Sequence, residues 1–160
     1  MDIATGNLYF VNDSFFEKVK DPFLKINYTE TKRPHYLAIK DTSKELFWLV
    51  PCSSRVEKYK AIIQARTENG KKTNGIRIVV IQNEDNALLF QDMFPVTEHY
   101  IEAPYIRGGQ VVRIADPKVI LELEKNAKKV LSLIRHGVRF TPTQPDILKI
   151  EALLSDEIEN

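Results

Sequence analysis

The stretch Phe47-Trp48-Leu49-Val50-Pro51-Cys52-Ser53-Ser54-Arg55-Val56-Glu57-Lys58-Tyr59 passes from an apolar run through a proline straight to two hydroxyls and a guanidinium. A buried strand ending in this way delivers polar groups to its exit. Ser54-Arg55-Val56-Glu57 has the S-x-x-E form of a capping box, and Val56, Tyr59 and Ile63 recur at helical spacing, so a helix is predicted to start at Ser54. Unpaired backbone N–H groups and the positive end of the helix dipole make such a start an anion site. Arg55 adds a full charge able to grip a phosphate through two hydrogen bonds. The plainer reading of the same residues is that Ser54 only caps, Ser53 only turns and Arg55 is only solvated.

The elements that position this corner can be read from the flanking sequence. His35-Tyr36-Leu37-Ala38-Ile39-Lys40 reads as a strand, Asp41-Thr42-Ser43-Lys44 as a turn, and Leu46 to Val50 as the returning strand of an antiparallel hairpin. The start of the first strand then lies beside the end of the second, which predicts His35 close to Ser53 and Ser54. Upstream, Leu8 to Val11 reads as a strand and Phe15 to Val19 as a short helix, with Ser14 and Glu17 as a second capping box. Residues 23–34 form a basic, aromatic-bearing loop with Tyr28, Lys32 and Arg33.

Downstream, Ile76 to Ile81 is a β-branched run typical of a central strand, and Ala87 to Phe90 is its return. Asp92 to Val96 extends the sheet past a bend, with Asp92 and Pro95 shaping it, and Val111 to Ile114 adds a short strand. Asp116-Pro117 starts a helix with Ile120, Leu123, Ala127, Val130, Leu131 and Ile134 on one face and Gly137 closing it. A last helix carries Ile147, Ile150, Leu153 and Leu154. The fold class is therefore α+β: a strongly twisted, mostly antiparallel sheet of about five or six strands flanked by helices.

Composition narrows the classes. The 160 residues, 43% of them hydrophobic, suit one domain spanning 1–160 with a single sizeable core. No apolar run approaches the ~20 residues that cross a bilayer, and the first six residues lack the pattern of a signal peptide, so a cytoplasmic protein with no membrane partner is expected. Cys52 is the only cysteine, which excludes an intramolecular disulfide, and His35, His99 and His136 are too scattered for zinc spacing. Neither a metal nor a cofactor is expected. The net charge is +1, yet residues 1–75 carry 13 Lys and Arg against 9 Asp and Glu, whereas residues 76–160 carry 10 against 13. The basic excess shares the half that holds the serine corner, which suits an anionic partner there.

Tyr9-Phe10-Val11, Arg33-Pro34, Pro51-Cys52-Ser53-Ser54 and Leu88-Leu89-Phe90-Gln91-Asp92-Met93-Phe94-Pro95-Val96, in this order and spacing, resemble the toxins of type III toxin–antitoxin systems, the ToxN/AbiQ/CptN-like endoribonucleases. The resemblance runs from residue 8 to about residue 135. It implies a fold similar to that of the Kid and MazF toxins. It implies metal-independent, sequence-specific cleavage of cellular or phage RNA to 2′,3′-cyclic phosphate and 5′-hydroxyl ends. It further implies inhibition by a small structured repeat RNA antitoxin, which the toxin processes and then holds in a closed RNA–protein hetero-oligomer. The paired hydroxyls of the family pattern fall on Ser53 and Ser54, and a lysine after the strand-opening proline falls on His35. Where the family has a lysine after the hydroxyls, this chain has Arg55 or, without a gap, Val56, with Lys58 the nearest lysine. An aromatic before Pro34 aligns only with a shift, Tyr28 being nearest.

Cleavage without metal requires a group to take the 2′-hydroxyl proton, charge stabilisation at the phosphate and protonation of the leaving oxygen. The sequence offers His35 for proton transfer as base or acid, Ser53 and Ser54 for holding the phosphate, and Arg55 or Lys58 for the developing charge. Tyr9, Tyr28, Lys32, Arg33 and Lys58 are candidates for binding RNA. Two other classes compete: a non-catalytic RNA-binding module, and a Cys–His acyl-transfer enzyme built on Cys52 and His35.

Overall fold

The computed structural model describes residues 1–28 and 30–159; Thr29, in the expected loop 23–34, and Asn160 lie outside the described residues. The elements in chain order are β1 (Leu8–Val11), α1 (Asp13–Val19), β2 (His35–Asp41), β3 (Leu46–Ser53), α2 (Val56–Glu68), β4 (Arg77–Ile81), β5 (Glu84–Leu88), β6 (Phe94–Val96), β7 (Ile101–Pro104), β8 (Ile106–Arg107), β9 (Gln110–Val111), α3 (Pro117–Arg135) and α4 (Ile147–Glu159). The fold is α+β with a seven-stranded sheet in the order β4-β5-β3-β2-β1-β7, β6 being a further partner of β3. Strands β8 and β9 form a separate hairpin. Every pairing among the described strands is antiparallel, as short loops and hairpins dictate.

β3 is the strand on which the others depend. On one side it pairs with β2 from Asp41↔Leu46 to His35↔Pro51. Its other side is shared: β6 takes Phe47, Trp48 and Leu49, and β5 takes Cys52 and Ser53. Pro51 sits where the partner changes, the irregular point at which a residue without an N–H is tolerated, and its carbonyl accepts from the Leu89 N–H at 3.0 Å. The run Leu88–Val96 therefore leaves β5, makes one 3-10 turn over Phe90–Asp92, and returns along the same edge as β6. Almost continuous apolar side chains along β2 and β3 fit strands covered on both faces.

The core contains Tyr9, Phe15, Tyr36, Leu37, Trp48, Leu49, Phe90 and Phe94, all essentially without solvent exposure. Each large apolar side chain removed from water contributes about 1.5–3 kcal/mol before entropy is counted. α3 lies against β2 and α4 against β6, and α2 covers β5. The face read from sequence on α3 is the buried one, with Leu123, Ala127, Val130 and Ile134 inward and the Asp116 carboxylate capping the Lys118 N–H at 2.9 Å. Among the described residues no helix is long and apolar enough to cross a membrane.

Two expectations of local structure are corrected. Neither capping box forms: Asn12 is the N-cap of α1 and Arg55 that of α2, and neither makes a side-chain capping bond. The bend expected at Asp92 is present as a 3-10 turn over Phe90–Asp92, after which β6 extends the sheet. Of the expected strand 111–114, only Val111 lies in a strand, paired with Ile106 in the small hairpin.

Candidate functional site

At the exit of β3 the Ser53 hydroxyl accepts a hydrogen bond from the Arg55 N–H at 3.2 Å, and the Ser54 carbonyl accepts from the Val56 N–H at 2.8 Å. This tight turn, rather than a side-chain cap, opens α2. Amides of the first helical turn are consequently left without a side-chain acceptor, and Ser54 and Arg55 are exposed beside them. Val56 is buried, and Tyr59 turns inward onto a small apolar cluster with Ile76, Ala87 and Leu89, which anchors the helix start to the sheet.

Cations gather at this corner. The Arg33 guanidinium lies over the Tyr28 ring, 4.5 Å from its centroid, and Lys58 Nζ is 5.2 Å from the Tyr59 centroid. The Arg33 backbone is held by Asn27, whose side-chain oxygen accepts its N–H at 3.0 Å. Among the described residues Arg33, Arg55 and Lys58 have no carboxylate within ion-pairing distance. Lys32 differs: its Nζ pairs with Glu102 at 3.2 Å and Asp13 at 3.8 Å, so much of its charge is already compensated. Tyr28 is 55% exposed and offers a ring face to solvent.

Two clefts flank the start of α2. One, of about 190 Å³, is lined by Ser54, Tyr28, Pro34, Tyr105 and Arg107 among others. The second, of about 410 Å³, is lined by Lys58, Tyr59, Lys25, Phe23, Gln91 and Asp92 among others. Burial holds the Tyr59 phenol above its ordinary pKa with Asp92 adding to the effect, while Arg33 and Arg55 act against it. Tyr59 thus joins the serine corner to the second cleft. A larger cavity of about 540 Å³, around Lys40, Phe47, His99 and Tyr100, lies at the opposite, turn end of β2 and β3.

The sequence-derived residues are brought together only in part. Register pairs His35 with Pro51, so the imidazole shares a sheet face with Ser53, two residues or about 7 Å further along the strand. The expected accessibility is absent, however. The ring is fully buried, packs edge-on against Phe94 with centroids 5.2 Å apart, and neither nitrogen has a hydrogen-bond partner. Burial first, and the Arg33 charge second, push its pKa down to about 3; the carbonyls of Tyr9 and Arg33 oppose this without reaching hydrogen-bond geometry. His35 is a neutral packed group in this conformation.

Tyr9 is likewise corrected. It is fully buried, and its hydroxyl accepts from the Ala4 N–H at 2.8 Å, so it has no face to stack on a base. Cys52 occupies the face opposite His35, beside Tyr36, and burial pushes its thiol up to about 12. No Cys–His pair exists. Among the described residues no group of three or more His, Cys, Asp or Glu could hold a metal ion.

Lys25, Tyr59, Gln91 and Asp92 were not singled out by their sequence pattern for the site. Asp92, expected only to shape the sheet, is instead a buried carboxyl lining the larger flanking cleft, and burial pushes its pKa up to about 6 against the pull of Lys25, Arg33 and Arg66. A charged residue inside an otherwise apolar run is the signal that could have marked it.

No protein-family model matches the chain, and no curated protein matches it in sequence. Among solved structures it is similar to AbiQ, a lactococcal anti-phage endoribonuclease belonging to the type-III toxin–antitoxin system, with a TM-score of 0.74 at 14% identity over 98% of this chain and 100% of that one. At that identity the likeness establishes a shared fold across essentially the whole chain.

Proposed function

We propose that this chain is the endoribonuclease toxin of a type III toxin–antitoxin system, acting on RNA at the start of α2 without a metal. The observation that carries the reading is the convergence, on a fold shared with AbiQ, of two hydroxyls, a helix N-terminus and three cations lacking carboxylate partners between two clefts. A phosphodiester seated on Ser53 and Ser54 would place its non-bridging oxygens among the free amides, with Arg55, Arg33 and Lys58 compensating the charge that grows in the transition state. The ribose 2′-oxygen attacks phosphorus and the bond from phosphorus to the 5′-oxygen breaks. The products are a 2′,3′-cyclic phosphate and a 5′-hydroxyl, the 2′-proton being lost and one gained by the leaving oxygen.

His35 enters as a positioning residue. A conjugate acid of pKa about 3 is too weak a base, and too readily deprotonated an acid, for proton transfer near neutrality. Its ring instead fixes the exit of β3 against Phe94. Catalysis would then rest on orientation and electrostatic stabilisation. Tyr28 would stack on an unpaired base while Lys32 and Arg33 track the backbone, and Arg55 with Lys58 stands where the family pattern has its lysine. The partner is a small structured repeat RNA that occupies the same groove, is cut by the toxin and closes with it into an RNA–protein assembly in the cytoplasm.

The inaccessibility of His35 favours one rival, a non-catalytic RNA-binding module. Incubating the purified protein with RNA in EDTA separates the two. Cyclic-phosphate ends that disappear in Ser53→Ala by at least about a hundredfold, with RNA affinity within a few-fold, support the nuclease. Binding with no cleavage supports the module.

A further inference from the structure

The cleft of about 410 Å³ beside Tyr59 has the size of a small-ligand site, for which ~300–1,000 Å³ is usual, and it contains an unusual inner wall. Asp92 is 6% exposed, yet among the described residues its carboxylate accepts no hydrogen bond. Its nearest cation, Lys25, stands at 4.0 Å, the limit of an ion pair. Its oxygens keep some solvent contact and line the cleft, so they are acceptors that the N–H groups of a ligand can reach.

Its neighbour supplies the complementary group. Gln91 is 7% exposed, and Arg66 Nη1 donates to its Oε1 at 2.8 Å, which fixes the amide orientation and leaves the NH₂ unassigned. Gly75 holds this arrangement closely: a Cβ there would stand 3.1 Å from Gln91 Oε1. The wall therefore presents two adjacent acceptors beside one donor. At the mouth, Phe23 is 43% exposed and Tyr59 is buried, while Lys25 and Lys58 carry positive charge.

We propose that this cleft receives a guanine base of the RNA, Asp92 accepting from its N1–H and N2–H groups and the Gln91 amide donating to its O6. Of the four bases only guanine carries two neighbouring N–H donors with an acceptor next to them on one edge. Adenine and cytosine set one donor beside an acceptor, and uracil sets one donor between two acceptors, so each would meet the carboxylate lone pair to lone pair. Phe23 would flank the base plane, and Lys25 and Lys58 the phosphate. The site is placed to read a base near the cut, because Lys58 and Tyr59 of its rim belong to the first turn of the helix that Ser53 and Ser54 introduce. With its pKa at about 6, Asp92 is ionised at pH 7.5 and so acceptor-only.

The inference rests on the RNA-cleaving reading for its biological sense, and its test does not. Calorimetric titration with 5′-GMP and 5′-AMP is expected to show GMP bound at least about tenfold tighter by the wild-type protein. Asp92→Asn, which replaces two acceptors by one acceptor and one donor, is expected to lose that preference or turn it toward AMP. Lys25→Ala is expected to weaken both nucleotides while keeping their ratio, which provides a second variant outside the buried wall. Equal binding of the two nucleotides by wild type, or an unchanged preference in Asp92→Asn, overturns the proposal. Mapping of cut sites then separates the two ideas: a guanine fixed at one position from the cut, lost in Asp92→Asn, supports both. GMP preference without any cleavage removes the nuclease and leaves the guanine site, and cleavage by a protein that binds GMP and AMP equally does the reverse.

Discussion

Asp92→Asn should stabilise the protein at alkaline pH and leave it unchanged in acid. The Asp92 carboxyl, buried in the 3-10 turn and facing Lys25, Arg33 and Arg66 on one side and Tyr59 on another, keeps its proton up to about pH 6, whereas the unfolded chain releases it from 3.8. Stability is therefore lost as pH rises from 3.8 through 6, and above that range the folded state carries a charge worth about 3 kcal/mol of penalty. The attraction of the three cations is already included in that net shift, so removing the charge should recover nearly all of it. Asparagine matches the protonated carboxyl in shape and polarity. The variant should gain close to nothing at pH 4 and about 2–3 kcal/mol at pH 8, a rise in Tm of several degrees for a chain of this size. The wild type alone would hide the effect, because His35 acts in the opposite sense. Its pKa falls from 6.5 to about 3 on folding, so it costs stability as pH falls through that window, which overlaps the one set by Asp92. The difference between variant and wild type, from urea unfolding at several pH values, isolates Asp92. An equal increment at pH 4 and pH 8, or a loss of stability at pH 8, would refute the placement of this carboxyl.

His35→Leu should remove the acid-side loss between pH 6.5 and 3 and leave Asp92 unopposed, read as an unfolding midpoint that rises as pH falls from 6 to 3.8, while the rate per folded molecule stays within about tenfold of wild type. A hundredfold loss of cleavage with intact folding would return the imidazole to the chemistry. Arg33→Ala should lower RNA affinity and reduce the slope of log affinity against log salt by about 0.7, the share of one phosphate contact on a single strand. Cys52 should resist iodoacetamide in the native state, since its thiol is buried and stays protonated; rapid labelling with loss of activity would revive a cysteine mechanism.

The hairpin of β2 and β3 was legible because both strands are strongly apolar, with a turn cluster between them. Antiparallel pairing then forces His35 beside Pro51. Periodicity also disclosed the buried face of α3. The partner of β6 and the surroundings of the imidazole were not legible, for one physical reason. Both depend on which element covers a face, and that is decided by long-range packing. The ring of His35 is enclosed by Phe94, 59 residues away, on a strand whose own position depends on the 3-10 turn before it. Tyr9 illustrates the same limit: a tyrosine in a strand reads alike whether it stacks on a base or satisfies the Ala4 amide inside the core. The capping box at Ser54 failed differently: the helix begins one residue later, with Arg55 as its N-cap, and it is the Ser53 hydroxyl that accepts from the Arg55 N–H.

The two halves of the proposed site are coupled through β3. Its exit edge is covered by the run Ala87–Val96, which pairs with Cys52 and Ser53 as the end of β5, donates from the Leu89 N–H to the Pro51 carbonyl, and then turns through Gln91 and Asp92 before pairing with Leu49 as β6. The segment that fixes Ser53 thus also presents the buried carboxylate and amide. A polar residue at the apex of that turn is costly to keep inside, and the turn itself is needed only because β3 exchanges one partner for another at a proline. Substitutions at Pro51 should therefore disturb the phosphate corner and the flanking cleft together. On α2, by contrast, Arg66→Ala should loosen the cleft alone, because its guanidinium holds Gln91 whereas Ser53 is held by the pairing of β3 with β5.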